Sequence, residues 1–131
     1  MKFTEKEKDF LKKEEVARLA TVSSKSWPQV TPIIFSFDKG YFYIATDYGT
    51  KKLENIKKNN KVGLVIDAYT RQPAGLILQG RATILEKGTD FRYGFNLLQK
   101  KFSYYRANPW KEGEAPILKI KPVRKLSWGL R

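Results

Sequence analysis

The chain has 131 residues, 41% hydrophobic and 14% aromatic, a size and composition typical of one folded domain, 1–131, rather than of a disordered chain. It contains no cysteine and no histidine, which excludes disulfides, a Ser-His-Asp triad, and zinc or haem sites built on His or Cys, so we predict no metal site. The net charge of +13 favours an anionic partner, such as nucleic acid, a phosphorylated cofactor or an acidic surface.

The amino-terminal residues predict a short amphipathic helix, because Phe3, Phe10 and Leu11 are spaced among Glu and Lys. This segment lacks the apolar core of a signal peptide, and no apolar run in the chain is long enough to span a membrane. We therefore expect a cytoplasmic protein without membrane contact.

Strands and short turns follow. Residues 16–24 (VARLATVSS) predict a first strand and residues 29–38 (QVTPIIFSFD) a second, whose Pro32 places it at a sheet edge or a bulge. The sequence DKG predicts a tight hairpin into a third strand, 41–46 (YFYIAT).

A short helix follows Thr50, since Leu53 and Ile56 form one apolar stripe, and the pair Asn59-Asn60 ends it. Residues 61–68 and 74–87 predict the fourth and fifth strands, with a bulge or a close backbone approach at Gly80.

The remaining elements are a helix and a last strand. The helix begins at Thr89 and ends before Asn108, with an aromatic face (Phe91, Phe95, Phe102) that we assign to the core or to a dimer interface. Residues 116–130 alternate apolar and basic residues and predict a sixth strand. The pattern as a whole predicts a mainly β fold, an antiparallel barrel of six strands with helices between them.

Five segments, ARLATV, PQVTPI, YFYIATDYGTKKLENI, NKVGLVID and LQGRATIL, in this order and spacing, resemble the pyridoxamine 5'-phosphate oxidase-like family of FMN-binding split β-barrels. The resemblance covers residues 15–85, with an echo in LSWGL near the end. The family includes enzymes that use the deazaflavin coenzyme F420. The resemblance implies a homodimer with FMN, or alternatively F420, between the subunits, and hydride transfer to or from an unidentified small substrate.

The resemblance also implies cofactor-binding positions but no catalytic residue. They are Arg18, Leu19, Ala20, Thr21 and Val22 along the ring and ribityl chain, Ala45 and Thr46 at a strand end facing the cofactor, Thr50, Lys51 and Lys52 at the phosphate, and Trp128 near the ring. The Lys-Lys pair replaces the Arg-Lys usual in the vitamin-forming oxidases. Their substrate motif needs a histidine, so oxidation of pyridoxamine phosphate itself is not expected.

Physical chemistry supports a phosphate at Lys51 and Lys52. Thr50 can cap the helix, whose dipole and first-turn amides favour an anion there, and two ammonium groups can reach phosphate oxygens. Lysines at a loop–helix junction are more often simply solvated, which is our interpretation of Lys57, Lys58 and Lys61.

For two other residues the sequence leaves two interpretations open. Arg18, within an apolar strand, either faces the cofactor groove or pairs with an acid, and Trp128 is either a core aromatic or a cofactor contact. We predict packing roles for Trp27 and Trp110. Arg81, after Gly80, is a further candidate for lining the groove.

Two other functions fit the sequence. The same site could serve a non-enzymatic flavin carrier or sensor. The charge and the aromatics also suit a basic nucleic-acid-binding barrel, although we disfavour it because the aromatics fall at core spacing.

Overall fold

The computed structural model of the chain describes residues 1–130. Its helices and strands follow in the order α1 (Glu5–Lys13), β1 (Val16–Val22), β2 (Pro28–Ile34), β3 (Ser36–Asp38), β4 (Tyr41–Ala45), α2 (Lys51–Lys58), β5 (Lys61–Tyr69), β6 (Pro73–Leu85), α3 (Thr89–Lys101), α4 (Ser103–Ala107) and β7 (Ile117–Trp128). No helix within residues 1–130 combines the length and the apolar character needed to cross a bilayer.

The seven strands form one antiparallel sheet in the order β2-β1-β5-β6-β7-β4-β3. The sheet is curled and carries the helices, which confirms the predicted split β-barrel class. The strand β2 lies at one end of the order, so Pro32 is on an edge strand, where its missing N–H costs no ladder hydrogen bond.

The strand count is seven rather than six because the predicted second strand divides at Phe35. Phe35 and Ser36 are both buried, so the alternation of a regular strand is interrupted there. The Phe35 N–H donates to the Glu15 carbonyl at 3.2 Å. Residues before this point pair with β1, whereas residues after it pair with β4.

Two local predictions are confirmed. The DKG turn places Lys39 and Gly40 at φ values of 51° and 87°, as a two-residue hairpin turn with two left-handed residues requires. The pairing of β6 with β7 shifts register between Gln79 and Gly80. A Cβ on Gly80 would lie 2.6 Å from the Lys121 carbonyl oxygen, so only glycine fits at this bulge.

Two apolar clusters hold the elements. The larger one packs the sheet against α1 and α2 through Leu11, Leu53 and Ile56. The smaller one lies under α3, and it consists of Tyr43, Phe91, Leu98, Phe102 and Ile117. The predicted aromatic face of α3 is thus core, but the helix breaks at Phe102 and resumes as α4 instead of continuing without interruption.

Lys101 ties the end of α3 to the end of α1. Its Nζ donates to the carbonyls of Leu11 at 3.1 Å and Glu14 at 2.6 Å, and it lies 4.1 Å from the centroid of the Phe35 ring. These carbonyls belong to the last turn of α1 and its cap, groups that a helix leaves without partners.

Candidate cofactor site

The alternation of β1 divides its predicted cofactor residues between two faces. Leu19 and Thr21 are buried, whereas Arg18, Ala20 and Val22 lie on the open face of the sheet. Leu19 belongs to the large core cluster, so its side chain is not available to a ligand and only its backbone could contact one.

Arg18 forms an ion pair. Its Nη1 lies 2.5 Å from Oδ1 of Asp67 on the neighbouring β5, and both side chains are about half exposed. The pairing with an acid is therefore confirmed, and an exposed pair of this kind contributes little to stability, about 0–1 kcal/mol.

A shallow groove of about 520 Å³ lies on the open face across β1, β5, β6 and β7. Ala20 and Gly63 form a flat part of its floor, because a Cβ on Gly63 would still be 3.7 Å from that of Ala20. Three basic side chains line it: Lys61, Arg81 and Arg124. Arg81, named above only as a candidate for lining the cofactor groove, thus lines this groove.

The start of α2 differs from the prediction in one respect. Thr50 is the N-cap residue, but its hydroxyl donates to the Asp47 carbonyl at 3.0 Å and accepts nothing from the helix. The expectation that Thr50 caps α2 with its side chain is therefore wrong, because the hydroxyl serves the preceding turn instead. The first-turn amides of α2 consequently have no side-chain acceptor from Thr50.

A cleft of about 380 Å³ adjoins this helix start. Lys51 and Asn55 line it from α2, and Trp27 and Gln29 line it from the β1–β2 side. Asn55 is buried and donates to Thr21 Oγ1 at 3.0 Å, which fixes α2 against β1. We call Gln29, Lys51 and Asn55, together with Lys52 of the same helix turn, the basic corner; Lys52 itself does not line the cleft.

Two details of the basic corner bear on its ability to bind a ligand. The Oε1 of Gln29 is buried and has no hydrogen-bond partner among the described residues. Lys51 lies 3.7 Å from Glu54 in an exposed and hence weak pair, and Lys52 is half-buried.

Trp27 is 74% exposed, so its predicted packing role is wrong, since neither cluster reaches the β1–β2 turn.

Ala45 and Thr46 lie elsewhere, at the end of β4. They line a cavity of about 370 Å³ together with Asp47, and its remaining lining residues are Tyr104, Tyr105, Asn108, Trp110, Glu114 and Ala115. Thr46 is only 7% exposed, and its Oγ1 has no partner within residues 1–130. We call this the aromatic cavity. Trp110 packs on Phe95 and Tyr105, as predicted.

Trp128 lies at a third place. It stands opposite Gly75 on β6, and a Cβ on Gly75 would be 2.6 Å from the Trp128 ring, so the ring covers that glycine. Gly75 in turn faces Asp67 on β5, toward the end of the sheet away from Lys61 and Arg81. The predicted positions therefore do not form one pocket within one chain.

The open face of the sheet also carries exposed apolar side chains beside its charged ones. Ile77 and Leu126 are cross-strand partners, and both are exposed, Leu126 by 66%. Val30, opposite Ala20 on the edge strand, is exposed as well. Ile77 and Leu126 therefore form an exposed apolar pair, and Val30 is a separate exposed residue on β2, with β1 and β5 in between; contiguous apolar patches such as that pair mark interaction surfaces.

Several residues of these places were not singled out from the sequence. Gln29 and Asn55 resemble ordinary polar residues of a turn and a helix, and only their burial distinguishes them. Lys61 and Arg124 come into the groove through strand pairing. The sequence does show tyrosine, tyrosine and tryptophan at 104, 105 and 110, which could have indicated a cluster.

Sequence comparison with known proteins gives a matching family model and a related enzyme. The family model for pyridoxamine 5'-phosphate oxidase matches residues 3–128. A 5a,11a-dehydrotetracycline/5a,11a-dehydrooxytetracycline reductase of Streptomyces rimosus is 33% identical over 96 residues, which are 67% of this chain and 68% of that protein.

Solved structures share the fold at low identity. The heme storage protein HutZ of Vibrio cholerae superposes with a TM-score of 0.85 at 14% identity, over 99% of this chain and 97% of that one. A heme binding protein of Mycobacterium smegmatis gives a TM-score of 0.81 at 12% identity, over 98% of this chain and 55% of the other.

Proposed function

The chain belongs to the pyridoxamine 5'-phosphate oxidase family, and from this premise we propose that it is a homodimeric flavin-dependent oxidoreductase that binds FMN and transfers hydride to or from a small substrate. F420 is the alternative cofactor on the same site. The observation that carries the proposal is the basic corner.

The basic corner has the chemistry of a phosphate site. The first-turn amides of α2 are not capped by Thr50, and the helix dipole favours an anion beside them. Lys51 and Lys52 add two ammonium groups at the same helix start. The side-chain amide of Gln29 has an unpartnered oxygen, so it can rotate and offer its N–H to the anion without losing a hydrogen bond.

The groove on the open sheet face has the shape for a flat ring. Ala20 and Gly63 leave the floor without bulky side chains, and Val22 extends it toward the basic corner. Burial of an aromatic ring against such a floor supplies apolar contact, while Lys61, Arg81 and Arg124 supply positive charge at the rim.

A bound flavin supplies a reversible hydride acceptor, which a chain without histidine and cysteine does not have among its side chains. The protein then contributes by holding and orienting the flavin. Lys51, Lys52 and the α2 amides anchor the phosphate, the β1 backbone and Ala20 set the ring plane, and the apolar floor excludes water.

The homodimer is proposed because the predicted positions are dispersed in one chain. The groove and Trp128 lie at separate places on the open face, where Val30, Ile77 and Leu126 are exposed, and the basic corner lies at the start of α2, which packs against the buried face of β1. A second copy covering this face would bury the apolar side chains and could complete each site with residues from the partner.

Because some solved structures of this fold are heme proteins, haem has to be compared with flavin as the ligand. Haem iron in proteins is usually held by His, Cys or Met, or less often by Tyr, and these 131 residues contain no His, no Cys and one Met, which leaves the seven Tyr as the other candidate ligands. The basic corner suits the phosphate of a flavin, whereas haem has no phosphate and would offer only its propionate carboxylates to these lysines. We therefore favour flavin.

F420 remains the second candidate on a specific observation. Its tail carries carboxylates beyond the phosphate, and the groove rim offers Lys61, Arg81 and Arg124 beyond the basic corner. A longer anion would use these charges, whereas FMN needs only one phosphate site.

The test is a titration of the purified protein with FMN, riboflavin, F420 and haem, followed by visible absorbance. We expect FMN to bind at least about tenfold more tightly than riboflavin, since riboflavin lacks the phosphate, a difference of about 1.4 kcal/mol. Failure of both FMN and F420 to bind would contradict the proposal. Reduction of the bound flavin followed by reoxidation with candidate substrates distinguishes an enzyme from a carrier.

A further inference from the structure

The aromatic cavity differs in charge from the rest of this strongly basic protein. No Lys or Arg lines it among the described residues, whereas two carboxylates, those of Asp47 and Glu114, do. In a chain of net charge +13, a cavity lined by acids and without bases is a local exception. The nearby Arg106 is occupied, because its guanidinium donates to the carbonyls of Gln99 and Lys100 on α3.

Three aromatic rings form the wall of the cavity at steep angles to one another. The rings of Tyr104 and Tyr105 have centroids 5.5 Å apart at 73°, and those of Tyr105 and Trp110 lie 5.2 Å apart, also at 73°. Each contact is edge to face, so it leaves at least one ring face of the pair uncovered, and an uncovered electron-rich ring face is the group that holds a quaternary ammonium ion in an aromatic cage.

The rings are held in place by a hydrogen bond and by aromatic packing. Trp110 donates its indole N–H to the Ala115 carbonyl at 3.0 Å and packs edge-on against Phe95. Tyr105 contacts Phe102 of the smaller apolar cluster. Tyr104 is 65% exposed, so the cage has an open side through which a ligand can enter.

The carboxylates of Asp47 and Glu114 lie at the aromatic cavity, where their charge attracts a cation. Burial raises the pKa of the Tyr105 phenol, with smaller contributions from Tyr104 and from the charge of Asp47, so the Asp47 carboxylate lies within electrostatic range of that ring. Glu114 accepts the Lys111 N–H at 2.6 Å through Oε1, which fixes its side chain at the cavity. Thr46, at least nine-tenths buried, brings a hydroxyl with no protein partner to the inner wall.

We propose that this cavity is a binding site for a small organic ammonium ion, held by cation–π contact with Tyr104, Tyr105 and Trp110 and by the charges of Asp47 and Glu114. A hydroxyl or carbonyl of the ligand would satisfy Thr46. The aromatic and acidic residues lie outside the predicted cofactor positions, whereas Ala45 and Thr46 of the same cavity were predicted to face the cofactor, so binding is tested on protein without flavin.

The test compares choline with 3,3-dimethyl-1-butanol, its neutral isostere, by NMR or calorimetric titration of the protein without flavin at constant ionic strength. We expect choline to bind at least about tenfold more tightly than the alcohol. Equal binding of the two, or no binding of choline, overturns the proposal. A trimethyl-lysine peptide in a parallel titration distinguishes the source of the ammonium group: tighter binding of the peptide assigns it to a modified protein, and tighter binding of choline to a free small molecule.

Variants of Tyr104 separate cation–π binding from a structural role. Tyr104→Leu removes an exposed ring and should weaken choline binding about threefold to fivefold, whereas Tyr104→Phe keeps the ring and should restore it. Tyr69→Leu is the matched control, since Tyr69 is an exposed tyrosine on β5, outside the cavity. Equal choline affinity in Tyr104→Leu and Tyr69→Leu overturns the assignment.

The carboxylates are tested by Asp47→Asn, with Asp9→Asn on α1 as the control for lost negative charge. Asp47→Asn should weaken choline binding while leaving the alcohol unaffected. An identical loss in Asp9→Asn would show a general effect of net charge and would overturn the role of Asp47.

Discussion

The basic corner and the aromatic cavity lie at the two ends of the segment from Ala45 to Lys52, yet they have opposite chemistry. The basic corner combines lysines with uncapped helix amides and suits an anion. The aromatic cavity combines ring faces with carboxylates and suits a cation. The difference shows that a large net charge does not describe the individual sites of a protein, because each site is set by the few side chains that line it.

The two places also depend on different parts of the core. Leu53 and Ile56 anchor α2 in the larger cluster, whereas Leu98 and Phe102 support α4 from the smaller one. This separation allows each site to be disrupted without the other.

The largest expected effect comes from the smaller cluster. Leu98→Ala should lower the free energy of unfolding by about 2–5 kcal/mol, because Leu98 is fully buried and its loss leaves a cavity. Urea denaturation measures this, with the half-buried Leu97→Ala as control. A loss in Leu98→Ala no larger than in Leu97→Ala would contradict the role of this cluster.

The basic corner is tested by Lys51→Ala combined with Lys52→Ala. FMN affinity should fall by about 1–3 kcal/mol, since charged hydrogen bonds to phosphate are lost, while riboflavin and choline affinities stay as in the parent. The control is Lys57→Ala with Lys58→Ala, which removes the same charge from the other end of α2. Equal FMN affinity in the two double variants would refute the phosphate site.

The proposed cofactor site and the aromatic cavity differ in whether they need a second subunit. The cofactor site needs one that covers the open sheet face, whereas the aromatic cavity does not. Ile77→Glu with Leu126→Glu places charges among the exposed apolar residues and should shift the proposed dimer to monomer, as sedimentation would show. FMN affinity should then fall about tenfold or more, whereas choline affinity should not change. A monomeric parent protein, or full FMN affinity in a monomeric variant, would contradict a shared cofactor site.

The smallest effect concerns Lys101, which ties α3 to α1. Burial lowers the pKa of Lys101 to about 8 from its ordinary 10.5, partly opposed by Glu15 and Glu14. Between these two values the unfolded chain binds more protons than the folded one, so this group makes stability rise with pH.

Denaturation from about pH 7 to about pH 9.5 should therefore show a rise that Lys101→Met lacks. The range stops below the tyrosine titrations, because burial raises the pKa of Tyr43 to about 12 and this group lowers stability at higher pH. Identical pH profiles of parent and variant would show that Lys101 remains charged through its carbonyl and ring contacts.

Much of the fold could be predicted from local patterns. The Lys39-Gly40 turn, the Gly80 bulge and the edge position of Pro32 follow from backbone preferences of single residues, which act wherever the residue is placed. The division at Phe35 could not be predicted, because the run PIIFSF keeps its apolar character while the strand changes its partner.

By itself, the sequence determined the order of elements, the family and the concentration of lysines at the start of α2, since periodicity, turn residues and charge are properties of the chain. Tertiary structure decided which side chains meet: it turned Leu19 inward, paired Arg18 with Asp67, turned the Thr50 hydroxyl away from its helix and gathered three separate aromatics beside Thr46. Contacts between residues far apart in the chain, or contacts that depend on a single rotamer, leave no signal in local sequence, whereas the proximity of Tyr104, Tyr105 and Trp110 in the chain was visible there and only their position beside Thr46 was not.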